Sequence, residues 1–269
     1  MADRADRHAE ILPASHASAA SSRRSCKAVF FPESRFGGFT DCDAHVMFFT
    51  RVSALLTPES VVLDIGCGRG RGTEDPVLAR RRLRTLKGRC RRVIGIDTDP
   101  AAARNPGVDE FRSLSPSGGP WPVDDASIDL AVCVSVLEHV ADPEHLFAEC
   151  RRVLKFGGYL CLRTSNALSY SGLAARMIPN RYHPAIIRWI YETPRQEEDV
   201  FPTLHRCNTV FRVRQALRRN GLEGCVYGYQ SQPSSMAFSR VFYALGIVHQ
   251  HLAPGFLKPT IFVFARRTR

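Results

Sequence analysis

The run Val61-Val62-Leu63-Asp64-Ile65-Gly66-Cys67-Gly68-Arg69-Gly70 constrains the fold more than any other part of the chain. Its first five residues are apolar apart from one acid and largely β-branched, which reads as a buried strand. Three glycines at alternate positions follow at once, and glycine permits positive φ and close approach of the backbone to a ligand. A strand that delivers an acid into such a turn belongs at the carboxyl edge of an open α/β sheet, where these sheets bind ligands. The glycines stand at 66, 68 and 70, not in the G-x-G-x-x-G spacing of a dinucleotide fingerprint, and Asp64 lies two residues before the first. An acid there would repel a pyrophosphate and suits a cationic ligand, such as one carrying an ammonium and a sulfonium.

The flanking pattern supplies the rest of the sheet. Apolar residues at helical spacing (Val46, Phe49, Val52, Leu56) predict a helix over 43–56, closed by Thr57-Pro58. After the strand at 61–65 come a predicted helix at 76–86 and strands at 93–96, 111–114 and 128–134. Asp142 and Pro143 make an N-cap and N1 pair that starts a helix, with Gly157-Gly158 predicted to end it, and a strand follows at 159–163. A helix at 208–220 capped by Gly221, a strand at 222–229, a helical run at 238–249 and a strand at 260–265 complete the reading. Strand and helix alternating through 61–163 predict a parallel sheet with helices on both faces.

Composition narrows the class. The 269 residues suffice for one sizeable core, so 28–269 is read as a single domain behind a Ser/Ala/Arg-rich flexible tail at 1–27. No apolar run is long enough for a membrane span, and no secretory signal is visible. The nine cysteines never form a C-x-x-C pair, which suggests neither a zinc site nor a disulfide framework; no metal is expected, and a reducing cytoplasm fits. Cys133, Cys150 and Cys161 read as small core residues. The net charge of +11 first suggests a polyanion partner, but seven Arg and one Lys fall in 80–92 without an acid. That concentration reads as one solvated helix face, which makes a nucleic-acid partner the weaker reading.

Two further segments carry chemistry. Val93-Ile94-Gly95-Ile96-Asp97 is a strand ending in a carboxylate, able to accept charge-assisted hydrogen bonds from a ribose diol. Asp97 lies 27 residues after Gly70, against about 20 in the usual nucleotide-binding unit, and the extra length falls in the arginine-rich stretch. The strand at 128–134 leads through Ser135 and Val136 into Leu137-Glu138-His139 over the same edge.

In this order and at these intervals the motifs resemble the class I S-adenosylmethionine-dependent methyltransferase superfamily, in the branch with a Leu-Glu-His segment after the fourth strand. The resemblance covers 58–165 best, and it implies a Rossmann-like, seven-stranded, mostly parallel α/β sheet with S-adenosyl-L-methionine as cofactor. It further implies that Asp64, Gly66, Cys67, Gly68 and Gly70 surround the methionyl part, that Asp97 and Thr98 hold the ribose, that Leu114 and Ser115 approach the adenine, and that Ser135 lies near the sulfonium. If the acceptor is a hydroxyl, a histidine is the natural general base, and His139 and His205 are the candidates, with His183 behind them. Residues 166–207, rich in aromatics and arginine, read either as a substrate lid or as a packed helical excursion, and their arginines would favour an anionic small-molecule acceptor. O-methylation of a small molecule is the leading expectation. An RNA methyltransferase using 80–92, and a cofactor-binding protein without catalysis, stay open beside it.

Overall fold

The computed structural model describes residues 26–177 and 203–268, with side chains left undescribed at 174–177. Seven strands form one sheet: β1 (Val61–Ile65), β2 (Arg92–Asp97), β3 (Glu110–Ser113), β4 (Ile128–Val134), β5 (Leu154–Ser165), β6 (Leu222–Tyr229) and β7 (Thr260–Arg267). Their spatial order is β3-β2-β1-β4-β5-β7-β6. The first five are parallel to one another, whereas β7 runs antiparallel between β5 and β6. The expected mostly parallel α/β sheet is therefore present.

Among the described residues, helices accompany it at α1 (Ala44–Leu55), α2 (Leu78–Arg84), α3 (Pro143–Val153), α4 (Tyr170–Met177), α5 (Val210–Arg219) and α6 (Arg240–Leu252). Strand alternation sends successive side chains to opposite faces. Leu63, Ile65, Ala131, Cys133, Leu160 and Leu162 pack on one face with Phe147, Cys150 and Val153 of α3 and Val213 and Leu217 of α5. Val62, Leu130, Val132 and Cys161 face the other way, onto Phe48, Phe49 and Val52 of α1 and onto Phe262. Burial of both faces explains why these strands read as near-continuous apolar runs. Cys133, Cys150 and Cys161 are fully buried, as expected of small core residues.

Local signals set the helix starts. The Asp43 side chain accepts from the backbone N–H of His45 and Val46 at 2.9 and 3.2 Å, and that of Asp142 from His145 N–H at 3.1 Å. Thr209 caps α5, so that helix begins two residues later than the sequence suggested.

Three expectations need correction. The glycine pair 157–158 does not end α3; the helix stops at Val153 and β5 begins at once, with the glycines inside the strand beside the register shift between Ile128 and Leu130. Helix α2 is shorter than 76–86, because Val77 and Thr85 are both extended and the Val77 N–H is tied to the Asp75 carboxylate. The tail does not extend to 27: residues 26–30 are helical, Cys26 is fully buried against Ala237 and Tyr243, and Lys27 Nζ donates to Gly38 O at 2.8 Å. His183 and most of the 166–207 segment, with Arg181, Arg188 and Arg195, lie outside the described residues. No helix among the described residues is long and apolar enough to cross a membrane.

Candidate functional site

The glycine turn after β1 has the conformation its sequence predicts. Gly66, Gly68 and Gly70 have φ of 67°, 53° and 87°, in the region that disfavours any residue with a Cβ. Space excludes one as well at two of them: a Cβ on Gly66 would lie 2.3 Å from Val136 Cγ2, and one on Gly70 would lie 2.5 Å from Asn105 Oδ1.

The turn is pinned to β2 from three sides. Gly66 N–H donates to Ile96 O at 2.8 Å, and Gly68 N–H to Asp97 Oδ2 at 2.9 Å. Asn105, almost fully buried, donates to Cys67 O at 2.8 Å while its Oδ1 accepts from Gly107 N–H. Sequence reasoning passed over Asn105, although Asn105-Pro106-Gly107 is a turn-forming run that could have drawn notice.

Asp64, Gly66, Cys67, Gly68, Gly70, Ser135 and His139 all line one cleft of about 320 Å³, joined there by Phe49, Arg84 and Asn105. The volume falls within the range of about 300–1,000 Å³ typical of small-molecule sites. Burial, with the nearby Asp97 carboxylate adding to it, pushes the Asp64 carboxyl up to about 7. Burial, reinforced by Asp64 and Asp97, also pushes the Cys67 thiol up to about 12. This is a site that resists negative charge of its own and would be relieved by a positively charged guest. Ser135 stands across the cleft with φ of 58°, a strained conformation for a residue with a side chain, held by its N–H bond to Arg163 O at 2.9 Å.

The remaining expected residues stand around this cleft and do not line it. Asp97 accepts from Gly68 N–H through one oxygen and from Asp99 N–H through the other at 2.9 Å, so its first role is to fasten the glycine turn to the end of β2. Each carboxylate oxygen keeps a second lone pair for a diol. Thr98 is exposed beside it. Leu114 N–H donates to Asp97 O at 2.8 Å, which brings the end of β3 alongside, and Ser115 Oγ pairs with Ser117 Oγ at 2.7 Å. His205 has φ of 51°, and its Nε2 lies 3.0 Å from Ser165 Oγ. Its backbone N–H and that of Leu204 both donate to Glu138 O. Only His139 of the two candidate bases therefore faces the glycine cleft.

A buried polar chain joins these parts. Thr164 Oγ1 donates to the buried Glu138 carboxylate at 2.7 Å and accepts from Asn208 Nδ2 at 2.6 Å. It ties the Leu-Glu-His segment, the end of β5 and the start of α5 into one unit.

The arginine-rich stretch is not one solvated face. Arg80 makes ion pairs with Asp75 at 2.7 Å and Asp43 at 3.0 Å, and Arg84 one with Asp75 at 3.0 Å, the two acids being almost fully buried. Further along, Lys87 and Arg92 pair with Asp109 and Glu110, while Arg81 and Arg82 are exposed.

Comparison with known proteins agrees with the motif. Residues 63–162 match a family model described as a methyltransferase domain. A probable S-adenosylmethionine-dependent methyltransferase of Mycolicibacterium smegmatis is 36% identical over 115 residues, covering 41% of this chain and 40% of that protein. A ubiquinone biosynthesis O-methyltransferase of Cronobacter sakazakii is 31% identical over 88 residues, 27% of this chain and 36% of that one. The chain thus spans about two fifths of the length of the curated relatives it matches. Among solved structures, the geranyl diphosphate C-methyltransferase of Streptomyces coelicolor aligns with 83% of this chain and 75% of its own at a TM-score of 0.49 and 18% identity. Residues 63–162 thus form a methyltransferase domain, carrying the motifs by which the sequence resembles the class I S-adenosylmethionine-dependent superfamily.

Proposed function

We propose that this protein transfers the methyl group of S-adenosyl-L-methionine to a hydroxyl of a small-molecule acceptor, with the chain from Cys26 onward acting as one catalytic domain. The observation that carries this reading is the union, in one cleft, of three positive-φ glycines with Asp64, whose carboxyl burial raises to about 7. The residues fit the cofactor: turn backbone lining the cleft to cradle an amino-acid moiety, an acid for its positive charge, and the Asp97 carboxylate at the end of β2 for the ribose. When bound, the cofactor supplies an electrophilic methyl group on a sulfonium. The chain's own work is to bind, align and exclude water, and orientation alone contributes on the order of 7 kcal/mol.

Within this reading His139 is the base that takes the acceptor proton, since it lines the same cleft as the glycine turn. His205, held against Ser165, is a positioning residue for the Leu-Glu-His segment through its backbone bond to Glu138 O. Thr98, Leu114 and Ser115 are assigned to the rim that meets the nucleoside.

Calorimetry with S-adenosylmethionine and S-adenosylhomocysteine tests the donor assignment. Binding by the wild type and a loss of at least about tenfold in Asp97→Ala are expected, since the variant gives up charge-assisted bonds to the ribose and the clamp on the turn. No binding of either ligand by the wild type would end this reading.

A further inference from the structure

A second cavity, of about 340 Å³, opens at the carboxyl edge of β5 and β6, with Arg80, Arg163, His45, Tyr170, Ser231 and Gln232 in its wall. Its walls continue those of the glycine cleft at three places. On α1, His45 faces this cavity and Phe49, one turn on, faces the cleft. On α2, Arg80 and Arg84 are related in the same way. At the sheet edge, Arg163 stands here while Ser135, whose N–H is bonded to Arg163 O, stands in the cleft. A molecule in this cavity lies next to whatever occupies the cleft, which is the arrangement a group transfer between two bound molecules requires.

The wall is polar and carries positive charge. Among the described residues the wall holds Arg80, Arg163 and one acid, Asp43; Arg80 is paired with Asp43 and with the buried Asp75 behind it, Asp43 also caps the first turn of α1, and Arg163 faces the cavity beside them. The local field can be read from His45: burial, with the charges of Arg163, Arg84 and Arg80 adding to it, holds its imidazole well below the usual histidine range, against the weaker pull of Asp75. His45 therefore stands neutral at pH 7 and leaves room in the field for a guest of negative charge. Tyr170, Ser231 and Gln232 supply polar groups suited to orienting such a guest.

We propose that this second cavity seats the methyl acceptor and selects a molecule of about one ring that carries a carboxylate or phosphate, gripped by Arg163. The assignment as acceptor site rests on the methyltransferase reading above; the preference for anions rests on the cavity alone.

The test is calorimetric titration of the full chain with benzoate and phenyl phosphate, with benzamide and benzylamine as neutral and cationic controls, each with and without saturating S-adenosylhomocysteine. At least one anion is expected to bind about tenfold or more tightly than benzamide, and which one identifies the group preferred. Arg163→Gln should lower that affinity about tenfold. Gln232→Glu guards against a folding defect at Arg163: it keeps an acceptor for the Thr40 hydroxyl, which donates to Gln232 at 2.9 Å, and adds one negative charge to the wall. It should weaken the anion by a similar factor with an unchanged Tm. Equal binding of anions and benzamide, or anion binding indifferent to both variants, would overturn the proposal. If the anions bind but S-adenosylhomocysteine does not, the methyltransferase reading fails and the acceptor role fails with it, while the anion preference stands.

Discussion

The two cavities at the carboxyl edge are built of different material. The glycine cleft is made largely of backbone, a turn whose φ values and N–H directions are fixed by residues 64–70 and clamped by Asp97 and Asn105. The second cavity is made of side chains that come from α1, α2, β5, α4 and the loops after β6 and before β7. A backbone site tolerates little change at its glycines and is indifferent to much else. A side-chain site can be retuned one residue at a time, which suits donor recognition to the first and acceptor choice to the second.

The sharpest break of this comparison is Gly66→Ala. The added Cβ meets Val136 Cγ2 at 2.3 Å and must adopt φ of 67°, a conformation costing about 1–2 kcal/mol by itself. Cofactor affinity should fall more than about a hundredfold, close to 3 kcal/mol, measured by calorimetry. If Gly66→Ala bound normally, the cleft would not depend on its backbone. Next in size is Asp75→Ala, which leaves Arg80 and Arg84 without their shared partner between α1 and α2. A loss of about 3 kcal/mol in denaturant stability is expected, at the low end for buried ion pairs because both arginines keep some solvent contact.

These two positions also show what the sequence could tell. Gly66 was legible because its partners, Asp64 and the other glycines, are neighbours in the chain, and a contiguous motif carries its own geometry. The β1 and β4 boundaries were legible for a similar reason, since burial of both faces leaves a near-continuous apolar run. Asn105 and Arg163 were not, because each acts on a residue remote in sequence, and Asp75 was not, because it lies just outside the basic run whose arginines it pairs. The charge of 80–92 was misread for the same reason: Asp43 and Asp75, which neutralise its start, lie outside the window over which charge was counted. Gly157-Gly158 misled because a glycine pair can end a helix or admit a bulge, and only the pairing of β4 with β5 decides which.

The third prediction concerns charge in the glycine cleft. The Asp64 carboxyl is raised to about 7 in the folded protein, above its unfolded value, so the folded state holds a proton that the unfolded chain releases. Stability of the cofactor-free protein should accordingly fall as pH rises from about 4 to 7. A positively charged ligand favours the ionised carboxylate, so S-adenosylmethionine should bind with release of a proton, and its affinity should rise by up to about tenfold per unit between roughly pH 5 and 7, then level off. Calorimetry in buffers of different ionisation enthalpy counts that proton. Asp64→Asn should abolish the slope, and a slope that survives it would place the titrating group elsewhere.

The smallest effect sharpens the contrast from the other side. Thr209 caps α5 by accepting from Arg212 N–H at 3.2 Å, and α5 packs on the sheet and leads into β6, whose far end borders the acceptor cavity. Thr209→Ala leaves one helix donor without its cap and should lower stability by about 1 kcal/mol. None of that loss should reach the cofactor, because the glycine turn is held from β2 and Asn105. Equal affinity for S-adenosylhomocysteine in Thr209→Ala and wild type, beside a lowered unfolding midpoint, would show that the donor cleft is energetically independent of the acceptor half. A parallel fall in affinity would mean that the Glu138–Thr164–Asn208 chain, which joins the start of α5 to the Leu-Glu-His segment, transmits strain across the sheet edge and that the two cavities act as one site.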